Sequence, residues 1–232
     1  DIKEKYLKIA EGCNHRCAFC VIPAIRGKFR SRSLESILAE TRRLKEQGVK
    51  EIAIIAQDTT GYGRDIGTNI VELLNGIIPL DIPWIRLLYT YPTAISDELL
   101  GLFDRAPNLV KYVDLPLQHV SENVLRRMKR PGTYESTAAL INRIRERVPG
   151  VTIRSSFIVG FPGETEEDFG ELLTFLETMR LNHVGIFKYS QEENSIAYDY
   201  DSQIDVKTKK RRYQQAMSLQ QQISHELNQE LV

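Results

Sequence analysis

The chain has 232 residues, with 31 lysines and arginines against 31 aspartates and glutamates, so net charge points to neither a nucleic-acid nor a membrane-surface protein and any such partner must be met by a local patch. The length suits one barrel-like α/β domain or two small domains, with core enough to fold without disulfides. The opening "DIKEKYLKIA" has no apolar signal region, and no later run is long and apolar enough to cross a bilayer, so a cytoplasmic protein without a membrane partner is expected.

Short apolar or β-branched runs alternate with helical patterns, the mark of βα units on a parallel sheet. Six such units can be counted, with strands over 5–10, 51–56, 85–89, 111–115, 151–159 and 184–189. The first strand leads into "EGCNHRCAFCVIP", which holds every cysteine of the chain, Cys13, Cys17 and Cys20. A helix follows, with Leu34, Ile37, Leu38, Thr41 and Leu44 at helical spacing, Ser33 as N-cap and Gly48 at the stop. Further helices are read over 69–78, "SDELLGLFDRA" and 134–148. Another opens at Thr165, where Asp168 completes a capping box, and buries Phe169, Leu172, Leu173, Leu176 and Met179. After the sixth strand an irregular stretch leads to a long, polar, Gln-rich helix with a thin apolar line through Ala216, Leu219, Ile223 and Leu227.

In a parallel sheet or barrel the chemistry sits at the C-terminal ends of the strands. Here those ends read as the cysteine loop, "QDTTGYG", "YTYPT", "PLQHVS", "GFPGETEED" and "YSQEEN", whereas the returning helix-to-strand connections are short and plain. One rim is therefore expected to be functional.

Three thiols this close cannot all pair with one another, and joint ligation of a metal in a reducing compartment is the better reading. Thiolates four and then three residues apart can wrap one iron-sulfur cluster. A four-iron cube takes four ligands, so three cysteines leave one iron open to a small molecule. The alternative is a structural zinc site completed by His15, which is cramped against the usual spacings.

CxxxCxxC at the end of the first strand, with Phe19 just before the third cysteine, resembles the radical S-adenosylmethionine (SAM) enzymes. The stretches "RGKFRSRS", "AQDTTGYG", "LPLQHVSENVLRRMKRPG" and "FIVGFPGETEEDF" extend the resemblance to their methylthiotransferase branch, and "YTYPTAISDELL" to the members that modify an aspartate of ribosomal protein S-twelve. The resemblance implies α/β architecture with a partial (β/α)6 TIM-like barrel and a parallel sheet over 1–200, then a linker and long helix over 201–232. It implies a 4Fe-4S cluster on Cys13, Cys17 and Cys20, with SAM chelating the open iron and being split to a 5'-deoxyadenosyl radical. It further implies transfer of a methylthio group to the aspartate β-carbon, on S-twelve or the small ribosomal subunit, by a monomer reduced by flavodoxin or ferredoxin. The same-family alternative is modification of a tRNA adenosine; a metal-stabilised binding module without turnover is the third reading. Family members also carry an N-terminal domain with a second 4Fe-4S cluster and a C-terminal TRAM domain. Neither is in this sequence, so an excised core is expected, performing at most the radical half of the reaction.

Six positions follow as cofactor contacts, each with a plainer rival. Phe19 flanks the adenine or packs the cluster loop. Gln57, beside Asp58, bonds the methionine moiety or serves an ordinary cap. Gln118 meets the ribose, while its neighbour His119 reads as a satisfied rim histidine. Arg154, in mid-strand, needs an anion, either a ligand carboxylate or an internal one. Gly160 and Phe161 lie beside the adenine, or "GFPGE" is a tight turn before a capped helix. Two basic clusters, Arg26, Lys28, Arg30 and Arg32, and Arg126, Arg127, Lys129 and Arg130, either steer the chain to a ribosomal surface or form solvated faces.

Overall fold

The structure is a computed structural model and describes residues 3–230. In chain order the elements are β1 (Glu4–Lys8), β2 (Ala10–Glu11), α1 (Ile22–Arg26), β3 (Arg30–Ser31), α2 (Leu34–Glu46), β4 (Glu51–Ile55), α3 (Ile70–Ile77), β5 (Trp84–Leu87), α4 (Asp97–Arg105) and β6 (Tyr112–Asp114). They continue with α5 (Glu122–Arg127), α6 (Tyr134–Arg147), β7 (Thr152–Val159), α7 (Glu166–Met179), β8 (His183–Lys188) and α8 (Val206–Gln229). All six expected strands are present, at β1, β4, β5, β6, β7 and β8. The chain gathers into two compact units, one from residues 3–14, 25–115 and 144–151, the other from 15–24, 116–143 and 152–230.

In the first unit β4 is the middle strand of a parallel sheet ordered β1-β4-β5. Covered on both faces, it reads as the unbroken run "EIAII", with Ile52, Ala53 and Ile54 buried. Helix α2 starts where the Ser33 side chain accepts from the Ser36 amide, and ends before Gly48, whose φ of +74° turns the chain back. Asn69 caps α3 by accepting from the Val71 and Glu72 amides, and Ser96 caps α4. β1 stops at Lys8, short of the expected Ala10, because Ala10 and Glu11 pair antiparallel with Ser31 and Arg30. That two-residue ribbon is too short to leave a periodic signal.

In the second unit β7 and β8 run parallel, Arg154 opposite His183 and Val159 opposite Lys188. Strand β7 alternates strictly: Ile153, Ser155, Phe157 and Val159 are buried, and Thr152, Arg154, Ser156 and Ile158 are half-buried on the other face. The capping box of α7 forms as expected, although Phe175 takes the buried place expected of Leu173. Helix α8 buries Arg212, Ala216, Gln220 and Ile223, while Leu219 and Leu227 are half-buried. Two polar residues thus enter the face expected to be apolar because each finds partners there. Gln220 donates to the Leu181 carbonyl at 2.9 Å, and Arg212 meets two carboxylates.

Candidate metal centre and cleft

The cysteine loop is shaped by backbone contacts in both units. In the first, Gly12 has a φ of +82°, and a Cβ there would stand 2.3 Å from the Lys28 carbonyl oxygen, so only glycine lets this segment run against residues 27–28. Cys13 N–H then donates to the Gly27 carbonyl and Phe29 N–H to Asn14 Oδ1, each at 3.1 Å. In the second unit Ala18, between the other two cysteines, donates to the Met128 carbonyl at 2.9 Å and accepts from Ala197 N–H at 2.8 Å.

All three thiols are free of disulfides; Cys17 is buried, Cys13 and Cys20 half-buried. Burial pushes the Cys20 thiol pKa up, against the Ile22 amide and the charge of Arg130. Arg130 also points Nη1 at Cys17 Sγ, 3.7 Å away. Soft sulfur donors, one beside a fixed cation, fit an iron-sulfur cluster, which is bound by thiolates. Among the described residues no group of three or more His, Cys, Asp or Glu is gathered closely enough to hold a single metal ion.

The second unit also holds a cleft of about 330 Å³ lined by Phe19, Gln118, Ser156, Ile158, Tyr189 and Ser190, among others. It brings together two of the six expected contacts, Phe19 and Gln118. The Phe19 ring lies half-buried against the core of Ala18, Val124, Met128 and Phe161, so the packing role read for it is also met. Gln118 takes a φ of +75°, uncommon for a residue with a side chain, yet it is locked to β7: its N–H donates to the Ser156 carbonyl and its own carbonyl accepts from Ile158, both at 2.8 Å.

The other four are placed differently. Gln57 is in the first unit, exposed, and donates to Glu11 Oε1 at 3.4 Å. Its neighbour Asp58 is a cap, accepting from the Gly61 amide at 3.0 Å. Arg154 is half-buried, because strand alternation turns it away from the buried face of Ile153 and Ser155 and onto the face of Ser156 and Ile158. Phe161 is fully buried, its ring edge-on to Tyr189 at 5.1 Å and Tyr200 at 6.1 Å, and it does not line the cleft. Gly160 has a φ of +73° and faces Lys209, whose Cγ would lie 2.3 Å from an added Cβ. The glycine thus lets the Lys209 side chain of helix α8 come close to the backbone.

A buried polar network lies under "GFPGETEED". Glu164 is fully buried, accepts from Gly160 N–H and from Arg212 Nη1 at 2.9 Å, and has His119 Nε2 at 3.4 Å. His119 Nδ1 accepts from Ser121 N–H at 3.0 Å, and Nε2 faces the carboxylate. His119 is therefore held in the core rather than on the rim, bonded at Nδ1, while Nε2 faces Glu164 Oε1 without a hydrogen bond to it. Asp168 accepts from Ser121 Oγ and, at 2.8 Å, from Asn123 Nδ2 and Thr165 N–H. Burial alone would push its carboxyl pKa up; the bonds from Ser121, Thr165 and Asn123 outweigh this and hold it below the usual aspartate value. In sequence Arg212 is one charge in "KTKKRR", and nothing local marks it as the one that is buried.

The Radical SAM superfamily profile matches residues 7–176. The chain belongs to the radical SAM superfamily. Among solved radical SAM structures, coproporphyrinogen III oxidase HemN from Escherichia coli is similar with a TM-score of 0.71 at 17% identity, over 96% of this chain and 53% of that one. The methyltransferase TsrM from Kitasatospora setae, described with tryptophan substrate and a SAM analogue bound, gives a TM-score of 0.65 at 22% identity over 80% and 36%. These likenesses show the fold, α/β with the partial (β/α)6 barrel expected of the superfamily. At the level of sequence, the ribosomal protein uS12 methylthiotransferase RimO of Desulforamulus reducens is 50% identical over 98% of this chain and 52% of its own length. The RimO protein of Moorella thermoacetica is 50% identical over 96% and 52%. The chain thus spans about half the length of these relatives.

Proposed function

We propose that this radical SAM chain is the radical-forming part of a methylthiotransferase that modifies the β-carbon of an aspartate in ribosomal protein uS12. The observation that carries the reading is 50% identity to a uS12 methylthiotransferase along 98% of the chain. Cys13, Cys17 and Cys20 would hold a 4Fe-4S cluster, leaving SAM to complete the coordination. Reduced, that cluster supplies the electron that cleaves the sulfonium of SAM. The chain's own residues bind and orient: the Phe19 ring and the Ile158 side chain offer apolar surface to the adenosine, and the Gln118 amide offers it hydrogen bonds. The cofactor contacts read for Gln57, Arg154, Gly160 and Phe161 belong to the same proposal.

The rest of the whole-protein reading belongs to the same proposal. It comprises a barrel over 1–200, a helix leading to a further domain, a second 4Fe-4S cluster elsewhere in the protein, a flavodoxin or ferredoxin donor, a monomer and a cytoplasmic location. Among the described residues no helix is long and apolar enough to cross a membrane.

The test is anaerobic reconstitution with iron and sulfide, then a reduced assay for 5'-deoxyadenosine, with mass spectrometry of uS12 and tRNA from cells lacking the gene. Iron bound, adenosylmethionine cleaved and an unmodified uS12 aspartate are the expected results. Loss of a methylthioadenosine from tRNA would instead establish the tRNA-modifying alternative. Iron without cleavage would leave only a metal-stabilised binding module.

A further inference from the structure

We infer that Arg130 is a positioning residue that tunes the cluster through its ligand Cys17, an inference that rests on the cluster reading above. Arg130 belongs to a run of four cations, but its surroundings differ from those of Arg126 and Lys129, which are exposed. It is half-buried, and its guanidinium is forked: Nη2 donates to the Pro116 carbonyl at 2.7 Å while Nη1 points at Cys17 Sγ at 3.7 Å. Its backbone is fixed as well, since Arg130 N–H donates to the Leu125 carbonyl at 2.8 Å.

The chain reverses just before it at Lys129, with a φ of +54°, and the Met128 carbonyl accepts from Ala18 N–H, one residue beyond Cys17. Residues 128–130 therefore hold the cysteine loop twice, by main chain at Ala18 and by side chain at Cys17. The second hold is electrostatic. Reduction adds one electron to the cluster and breaks no bond, so the reduced form carries one more negative charge. A guanidinium fixed beside a ligand sulfur, donating N–H to it, favours that form and raises the reduction potential. A lysine keeps the charge but cannot reach the Pro116 carbonyl and the sulfur at once.

The experiment is a potentiometric titration of the reconstituted holoprotein with dithionite as electron donor, read by electron paramagnetic resonance. The signal that changes when SAM is added identifies the cluster of Cys13, Cys17 and Cys20. In R130M that signal is expected at a more negative midpoint than in the parent, with iron content unchanged, and R130K is expected between the two. A midpoint in R130M that superimposes on the parent overturns the inference. If R130M does not assemble a cluster, R130K decides: a more negative midpoint supports the inference and an unchanged one overturns it. Failure of the cluster reading itself shows in the parent, as absence of iron or of any response to SAM, before a variant is made.

Discussion

Replacing Arg212 with methionine removes the cation from a buried ion pair while keeping an unbranched apolar stem. Arg212 is 3% exposed and its partner Glu164 is fully buried, with Nη1 2.9 Å from Oε2 and 3.1 Å from the Glu164 carbonyl. Breaking such a pair leaves an uncompensated buried charge, a loss of about 3–5 kcal/mol. The lower end applies here, for two reasons. Glu164 keeps the Gly160 amide, and Glu166, which Arg212 also reaches at 2.7 Å, is 59% exposed and can turn to water. A loss of about 3 kcal/mol is therefore expected from urea unfolding followed by circular dichroism. Adding E164Q to R212M removes the stranded charge, so the double variant should be more stable than R212M alone. The surface pair Arg180–Glu226 has a similar 2.8 Å separation but lies 37% and 39% exposed, and R180M should cost far less. R212M within about 1 kcal/mol of the parent, the range of a surface pair, would refute the account of a structural charge under the glycine-rich turn.

Two other perturbations test the same physics. Gly12 and Gly27 both have positive φ, +82° and +73°, but an added Cβ meets backbone at the first and nothing within 4 Å at the second. G27A should lose only the left-handed backbone term of about 1–2 kcal/mol, and G12A distinctly more, with reduced iron uptake; equal losses in thermal melts would show that the close approach at Gly12 does not matter. For Asp168, whose folded pKa is depressed, the stabilisation is present above the pKa of the unfolded chain and is lost as pH falls through the folded value. The stability gap between the parent and D168N should therefore be full at neutral pH and close as the solution is acidified below the ordinary aspartate range, and a gap independent of pH would contradict it.

The six strands, the caps at Ser33 and Thr165, and the cysteine loop were legible because each rests on local chemistry: period, turn residues, or thiols a few positions apart. That Gln118 stands at a functional rim was legible because strand ends carry the polar residues, and it lines a cleft together with Phe19. Phe161 and Gly160 were read beside the adenine or in a tight turn, and what they pack against was not legible. A phenylalanine beside a glycine turn has the same sequence signature whether its ring meets a ligand or, as here, Tyr189 and Tyr200.

Charge shows the same boundary. Arg126, Arg127, Lys129, Arg130 and the cations of "KTKKRR" look alike in the chain, yet Arg126 and Lys129 are exposed, Arg130 meets the Cys17 sulfur and Arg212 a buried carboxylate. The order of the amino acids determines the donor set, the alternation of strand and helix and the ends of the helices, since these depend on neighbours within a few residues. Which cation is buried, and against which anion or sulfur, depends on residues such as Cys17 and Arg130, or Glu164 and Arg212, that are far apart in the chain and meet only when it folds.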